Sequence, residues 1–416
     1  MFEYDDNNCY VSNIDQTPRI QTNVEILRKK ISKISTSTSS KTPYYKVLYP
    51  HNESEYVQQY MQLAQEIRKN FSNLVVISMG GAALTPQSML KLIAKKSQVN
   101  IHFLDNTDPV FFKNLIENIQ LKETAFLVIS NSGETLETIV LLSVVLNEFK
   151  RNGVDNYSSN FHFITNTNDS TLYRIATSIN ARIYSHASEI SGRYASFTNI
   201  TILIGLVAEL NMDEFVSGGN EILDNFWRER ENSLPARAAV TIMTLAKPIL
   251  VNLGYLQKFS SYLDWYSQII AESLGKNFKG FTPFKSLAPN DHHSMLQLYL
   301  DGPKDKLFTM FHVKKIKEDL SHFKITDDKI LGDLANRSIE DINNTIFNSA
   351  LQTFKAEHIP FRTIILNDLS ARTVGGLIAH SMVEVILLGH LLEINPFDQP
   401  SVESIKRHAK QLLKSN

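Results

Sequence analysis

Short apolar runs and longer amphipathic stretches alternate along most of this chain. Leu74–Ser78 (LVVIS), Ile101–Leu104, Ala125–Ser130 (AFLVIS), Phe161–Thr165 (FHFIT) and Arg182–Tyr184 have the length of strands and are rich in Val, Ile or Phe. Helical patterns lie between several of them, such as Thr135–Arg151. A second set follows: Ile249–Leu253, Pro283–Leu287, Leu307–Val313 and Arg362–Leu366, with helical stretches near Phe259–Ser273, His293–Leu300 and Ser338–Phe354. Strands that alternate with helices predict βαβ units and parallel sheets covered on both faces. The expected fold class is therefore α/β, with two doubly wound parallel-sheet domains and a C-terminal helix over about Val402–Lys414, after the Pro396–Pro400 turn. The expected boundaries are an N-terminal segment and linker over 1–44, a first domain over 45–210, a helical connection over 211–245, a second domain over 246–396 and the C-terminal helix over 397–416. The Ser/Thr-rich stretch Ile31–Thr42 (ISKISTSTSSKT) reads as a loop or linker.

Composition narrows the function classes. The chain has 416 residues, of which 43% are hydrophobic and 20% charged, an ordinary balance for a protein with sizeable cores. The net charge of -1, with basic residues dispersed, gives nucleic acid no electrostatic foothold. One cysteine, Cys9, expected near a mobile end, makes no internal disulfide and implies no oxidising compartment. The first ten residues are polar and acidic, unlike a signal peptide. No apolar run reaches the roughly 18–20 residues of a membrane span; the longest candidate is Ile200–Ala208. A cytoplasmic protein without membrane or nucleic-acid partners is expected.

Two loops after strands have the chemistry of an anion site. Ser130 to Thr138 reads SNSGETLET and leads into a helix. Hydroxyls at Ser130, Ser132, Thr135 and Thr138, a tight turn at Gly133 and the free N–H groups of the helix converge there, which suits a phosphate without a lysine. The Walker spacing is absent. An N-capped helix with a Ser-rich entry explains the same pattern. The earlier loop SMGGAAL, Ser78 to Leu84, carries Gly80 and Gly81, which permit close backbone approach.

Four more segments carry candidate chemistry. Ser188–Phe197 (SEISGRYASF) places Arg193 just after Gly192, before a strongly apolar helix. Trp265–Lys276 (WYSQIIAESLGK) puts Gln268 and Glu272 one turn apart on one helix face. A carboxylate near a helix C-terminus meets the negative end of the dipole, which favours its taking up a proton. Asp291–Leu298 (DHHSMLQL) has adjacent histidines, but the zinc spacing HExxH is missing and the one Cys is remote, so no metal is expected. Asn395–Lys406 reads NPFDQPSVESIK. Taken singly, Arg193 and Glu272 also fit solvated helical side chains.

Together these motifs resemble the phosphoglucose isomerase family, built from sugar isomerase (SIS) domains. SNSGET is similar to that family's phosphate loop, with Ser130, Ser132 and Thr135 on the phosphate-binding positions. GGA stands at 80–82 where GGS is usual, so Ala82 lacks an expected hydroxyl. Gly192-Arg193-Tyr194 resembles the GGR-Y-S signature, with Ser191 at the first glycine. ES-x-GK with Gln268 upstream resembles the catalytic-base segment, and His293-Ser294-Met295-Leu296-Gln297-Leu298 the segment of the ring-opening histidine. The most specific match is FDQ-x-x-VE-x-x-K, in which Pro400 and Ser401 depart from the usual residues. Gly375–Ala379 resembles the segment before it, but Met382-Val383 replace the usual Glu-His.

The resemblance implies interconversion of glucose 6-phosphate and fructose 6-phosphate, in glycolysis and gluconeogenesis, through an enediolate. The implied roles are Glu272 as base, Arg193 as cation for the intermediate, His293 with Lys406 in ring opening, and Gln268 and Gln399 as substrate ligands. It implies no cofactor, and a homodimer in which the partner subunit supplies the histidine. Two alternatives stay open on these residues: an isomerase that also accepts mannose 6-phosphate, and a non-catalytic SIS-type sugar-phosphate-binding regulator. A glutamine-dependent amidotransferase is not expected, since its N-terminal catalytic cysteine is absent and Cys9 lies in no matching context.

Overall fold

The computed structural model describes residues 1–10, 15–36, 43–51, 53–93, 97–166, 169–316 and 323–415. Two five-stranded sheets organise them. The strands are β1 (Phe2–Asp5), β2 (Asn73–Ile77), β3 (Asn100–Leu104), β4 (Thr124–Ser130), β5 (Phe161–Thr165), β6 (Arg182–Ser185), β7 (Ile249–Gly254), β8 (Thr282–Leu287), β9 (Lys306–Val313) and β10 (Phe361–Leu366). One sheet has the order β3-β2-β4-β5-β6 and is wholly parallel. The other has the order β1-β10-β9-β7-β8, parallel except where β1 runs antiparallel along β10. Every residue of β4 and β9 is buried. Covered on both faces, β4 reads as a nearly unbroken apolar run rather than as alternation.

The amino-terminal stretch departs from expectation in three ways. It supplies β1, and so an edge of the second sheet, instead of only leading into the first. Cys9 is therefore 1% exposed, not at a mobile end, because the chain turns inward where Asp6 meets Arg237 and Thr241. Ile31–Thr36 is the last part of a helix, Thr17–Thr36. Leu27, Ile31 and Ile34 fall on the same buried stripe at helical spacing, a period obscured by the Ser and Thr residues that intersperse and follow it. The remainder of that expected loop, 37–42, lies outside the described residues.

Between the sheets runs a layer of helices. Met212–Glu229 packs on Ala371–Leu391 closely enough that a methyl group on Gly218 would sit 1.9 Å from the Arg372 carbonyl oxygen, and one on Gly375 1.9 Å from that of Phe215. Ala371–Leu391 is, by length and composition, apolar enough to cross a membrane, contrary to the sequence reading. It is buried along almost its whole length, with Arg372 at its start paired with surface carboxylates. Glu384 and Arg362 form a fully buried pair at 2.6 Å, joined by Tyr266 and Thr309. The expected helix His293–Leu300 is two short helices, Asn290–Ser294 and Leu296–Asp301, broken at Met295. The helix Phe259–Leu274 lies on Gly81–Ile93, and this contact between the two halves builds the site.

Candidate active site

Each loop of interest leaves the C-terminal end of a parallel strand or the terminus of a helix docked there. After β4, Gly133 takes φ +64°, and its N–H donates to the Ser130 hydroxyl at 3.1 Å. The Ser130 and Thr135 hydroxyls are 2.9 Å apart, and the Glu134 N–H donates to Ser132 Oγ at 3.2 Å. Thr135 is the N-cap of the helix Leu136–Arg151 but makes no side-chain capping bond. The first amides of that helix thus stay available to an anion. Among the described residues, buried Asn131 Oδ1 and Thr138 Oγ1 have no hydrogen-bond partner, as befits a site built for a ligand's polar groups.

The glycine loop meets the arginine loop through backbone. Gly80 has φ +57°, and a methyl group there would approach the Gln268 amide nitrogen to 3.3 Å. A methyl group on Gly81 would lie 2.2 Å from the Arg193 backbone nitrogen, so only glycine lets the two segments touch. Ala82 abuts Gly192 in the same contact. The Thr85 hydroxyl donates to the Gly192 carbonyl at 3.1 Å, and the Trp265 indole N–H to that of Arg193 at 3.0 Å.

Arg193 is 1% exposed, and its guanidinium organises the centre. Nε donates to Ser273 Oγ at 3.0 Å, and Nη2 to the carbonyls of Pro396 and Asp398 at 3.1 and 3.2 Å. Nη1 donates to Glu272 Oε2 at 3.2 Å and to Gln399 Oε1. Gln268 donates to the other Glu272 oxygen at 2.8 Å. Nε and Nη2 are thus tied to fixed acceptors, whereas Nη1 faces two side chains that a ligand can displace. Glu272 keeps 32% of its side chain exposed, open to that ligand. A carboxylate, a guanidinium and two side-chain amides are thus linked in one hydrogen-bonded chain, an arrangement suited to proton transfer beside a developing oxyanion.

Gly80, Gly81, Arg193, Gln268, Glu272 and Gln399 are thereby brought together, while Ser130, Ser132 and Thr135 form a cradle on the neighbouring loop. The contacts of Arg193 and Glu272 among the described residues do not include His293, which is exposed on Asn290–Ser294. His292 turns inward instead, with Nε2 3.1 Å from the Tyr255 hydroxyl, and burial lowers its pKa. Lys406 sits on the helix Val402–Ser415, and its side chain lies outside the described residues. Among the described residues no group of three or more His, Cys, Asp or Glu side chains is arranged for a metal.

Ser273 and Trp265 hold Arg193 through a hydroxyl and an indole N–H, and Lys276 bonds to Asn395 and Asp398 beside it; no local pattern in the sequence marks these contacts. Ser273 and Lys276 stand beside Glu272 in the string ESLGK.

The sequence profile of the family described as phosphoglucose isomerase matches residues 57–416. A protein named glucose-6-phosphate isomerase from Methanocaldococcus jannaschii is 30% identical over 350 residues, which cover 83% of this chain and 85% of that one. One of the same name from Mycoplasmopsis synoviae is 26% identical over 415 residues, 94% of this chain and 95% of its own. Among solved structures, a hypothetical protein from Thermus thermophilus superposes with TM-score 0.89 at 22% identity, covering 99% of this chain and 100% of the other. A glucose-6-phosphate isomerase from Chlamydia trachomatis does so with TM-score 0.82 at 19% identity, covering 99% and 88%. At those identities the likeness establishes a shared fold.

Proposed function

The chain belongs to the phosphoglucose isomerase family, and we propose on that premise that it interconverts glucose 6-phosphate and fructose 6-phosphate with the residues gathered around Arg193. The observation that carries this reading is the Nη1 face of Arg193, set 3.2 Å from the Glu272 carboxylate beside Gln399.

The sugar phosphate anchors its phosphate on Ser130, Ser132, Thr135 and the first amides of Leu136–Arg151. Binding far from the reacting carbons supplies positioning. With the ring open, Glu272 removes the proton on C2 and an enediolate forms. Arg193 Nη1, released from its apo partners, faces the oxyanion. Glu272 returns the proton to C1 while the proton on O2 passes to O1, giving the ketose. No atom is gained or lost and no redox partner is consumed. Gln268 holds the carboxylate between the two carbons, and Gln399 the substrate hydroxyls. Ring opening falls to His293 of a second copy, with Lys406, which accounts for a histidine exposed and apart from Glu272.

A dehydrogenase-coupled assay of fructose 6-phosphate turnover, run with EDTA, tests the reading. Glu272→Gln keeps size and hydrogen bonding but removes the base, so kcat falls by about 10²–10⁴-fold. Turnover that survives this change refutes the base. A folded wild-type chain without turnover refutes the activity and favours a binding protein. Mixing Glu272→Gln with His293→Ala chains restores roughly a quarter of wild-type activity if sites are shared across a twofold dimer, and none if they are not.

A further inference from the structure

Just past the helix that carries Glu272, the chain makes a tight turn whose two ends are both lysines. Gly275 closes the helix, its N–H bonded to the Ala271 carbonyl at 2.9 Å. Lys276 and Lys279 then pair as an isolated antiparallel bridge. Asn277 and Phe278 between them have φ of 53° and 59°, the left-handed pair of a two-residue hairpin turn. Both lysines reach the same distant part of the chain. Lys279 donates to the Leu392 carbonyl at 2.8 Å. Lys276 donates to the carbonyls of Asn395 and Asp398 and to Asp398 Oδ1, the last at 2.6 Å.

The two lysines differ in setting. Lys279 is exposed, whereas the Lys276 side chain is 9% exposed. Burial pulls its ammonium below the ordinary lysine range, while Asp398 opposes that shift. A nearly buried ammonium with three acceptors is costly to leave unpaired. Its acceptors belong to the strap between Ala371–Leu391 and the C-terminal helix Val402–Ser415. The same strap gives Arg193 the Pro396 and Asp398 carbonyls, so Lys276 and Arg193 share the Asp398 oxygen. One residue further on, Gln399 accepts from Arg193 Nη1.

We propose that Lys276 is a positioning residue: by holding Asn395–Asp398 it sets the register that brings Gln399 onto Arg193 and aims the C-terminal helix bearing Lys406 at the site. It acts from the side away from substrate, whose place is on the Nη1 face of Arg193. Because it follows Glu272 by four residues, one helix end places both the base and the strap that closes over it. The inference rests on the active site proposed above.

The test combines a double-mutant cycle with a measurement that needs no turnover. Lys276→Met lowers kcat/KM for fructose 6-phosphate by about 10-fold or more, the size of one lost hydrogen bond to a charged group. Lys276→Arg recovers part of the loss. Gln399→Ala, damaging in the wild type, does little more in the Lys276→Met background, because its target is already out of register. Amide hydrogen exchange over residues 392–402 rises in Lys276→Met, while that over β4 and β9 stays unchanged. Lys276→Gln, which keeps a donor and loses the charge, replaces Lys276→Met if the latter does not fold. Effects of the two substitutions that simply multiply, or unchanged exchange in the strap, overturn the proposal. Raised exchange in the strap with a wild type that turns over no sugar phosphate would leave the clamp standing and refute the activity instead.

Discussion

Arg193→Lys isolates geometry from charge. The guanidinium has five N–H donors in a rigid fork, and each has an acceptor here: Ser273, Glu272, Gln399 and the carbonyls of Pro396 and Asp398. An ammonium keeps the charge but has three donors at one point, so at least two acceptors lose their partner. Hydrogen bonds to charged groups contribute about 1.5–3 kcal/mol each, and neighbouring losses are not additive. A destabilisation of roughly 2–4 kcal/mol is expected from this buried site. The catalytic loss is separate. If Nη1 faces the oxyanion, removing that donor lowers kcat by about 10²–10³-fold, in the range seen when one oxyanion donor is deleted. The coupled assay gives kcat and KM, and urea unfolding gives stability for the same sample. A kcat within about threefold of wild type, in a protein destabilised as expected, refutes the catalytic assignment and leaves Arg193 a structural clamp.

Three further outcomes follow from the same structure. Ser130→Ala, which removes the hydroxyl bonded to Thr135 and Gly133, raises KM for fructose 6-phosphate by about 10-fold with a smaller effect on kcat; an unchanged KM argues against phosphate binding there. Arg362→Met strands Glu384 in the core and costs about 3–5 kcal/mol by urea unfolding, whereas Arg362→Met combined with Glu384→Leu costs less. Burial pulls His162 and His380 down to about 4. Unfolded imidazoles titrate near 6.5, so the unfolded chain takes up protons first as pH falls. Stability is therefore full above about pH 6.5 and declines towards pH 4, by up to about 2 kcal/mol per imidazole at pH 5. His380→Phe flattens this dependence, and unchanged unfolding midpoints between pH 7 and pH 5 refute it.

Period and spacing carried a good part of the architecture. The nine apolar runs read as strands are nine strands, because a parallel sheet covered on both faces leaves little ambiguity in a run such as AFLVIS. The tenth, β1, was not legible: FEYD alternates weakly and becomes a strand only because β10 has a free edge beside it. Helix Ala371–Leu391 does not read as a continuous apolar element because Arg372, His380, Glu384 and His390 interrupt its hydrophobicity. Those same residues, apart from the surface Arg372, are buried with partners or packed against aromatic rings.

For the site, local order specified which side chains offer chemistry, since Gln268 and Glu272 must share a helix face and Ser130–Thr135 must precede a helix N-terminus. It also specified that glycines stand where backbones approach. Only the tertiary structure decided that Arg193 meets Glu272 and Gln399, residues separated from it by 79 and 206 positions. It alone decided that Lys276 grips the strap and that His293 stays apart. Helical and strand periods act over a few residues, whereas these encounters depend on how one helix, Phe259–Leu274, packs across both halves of the chain.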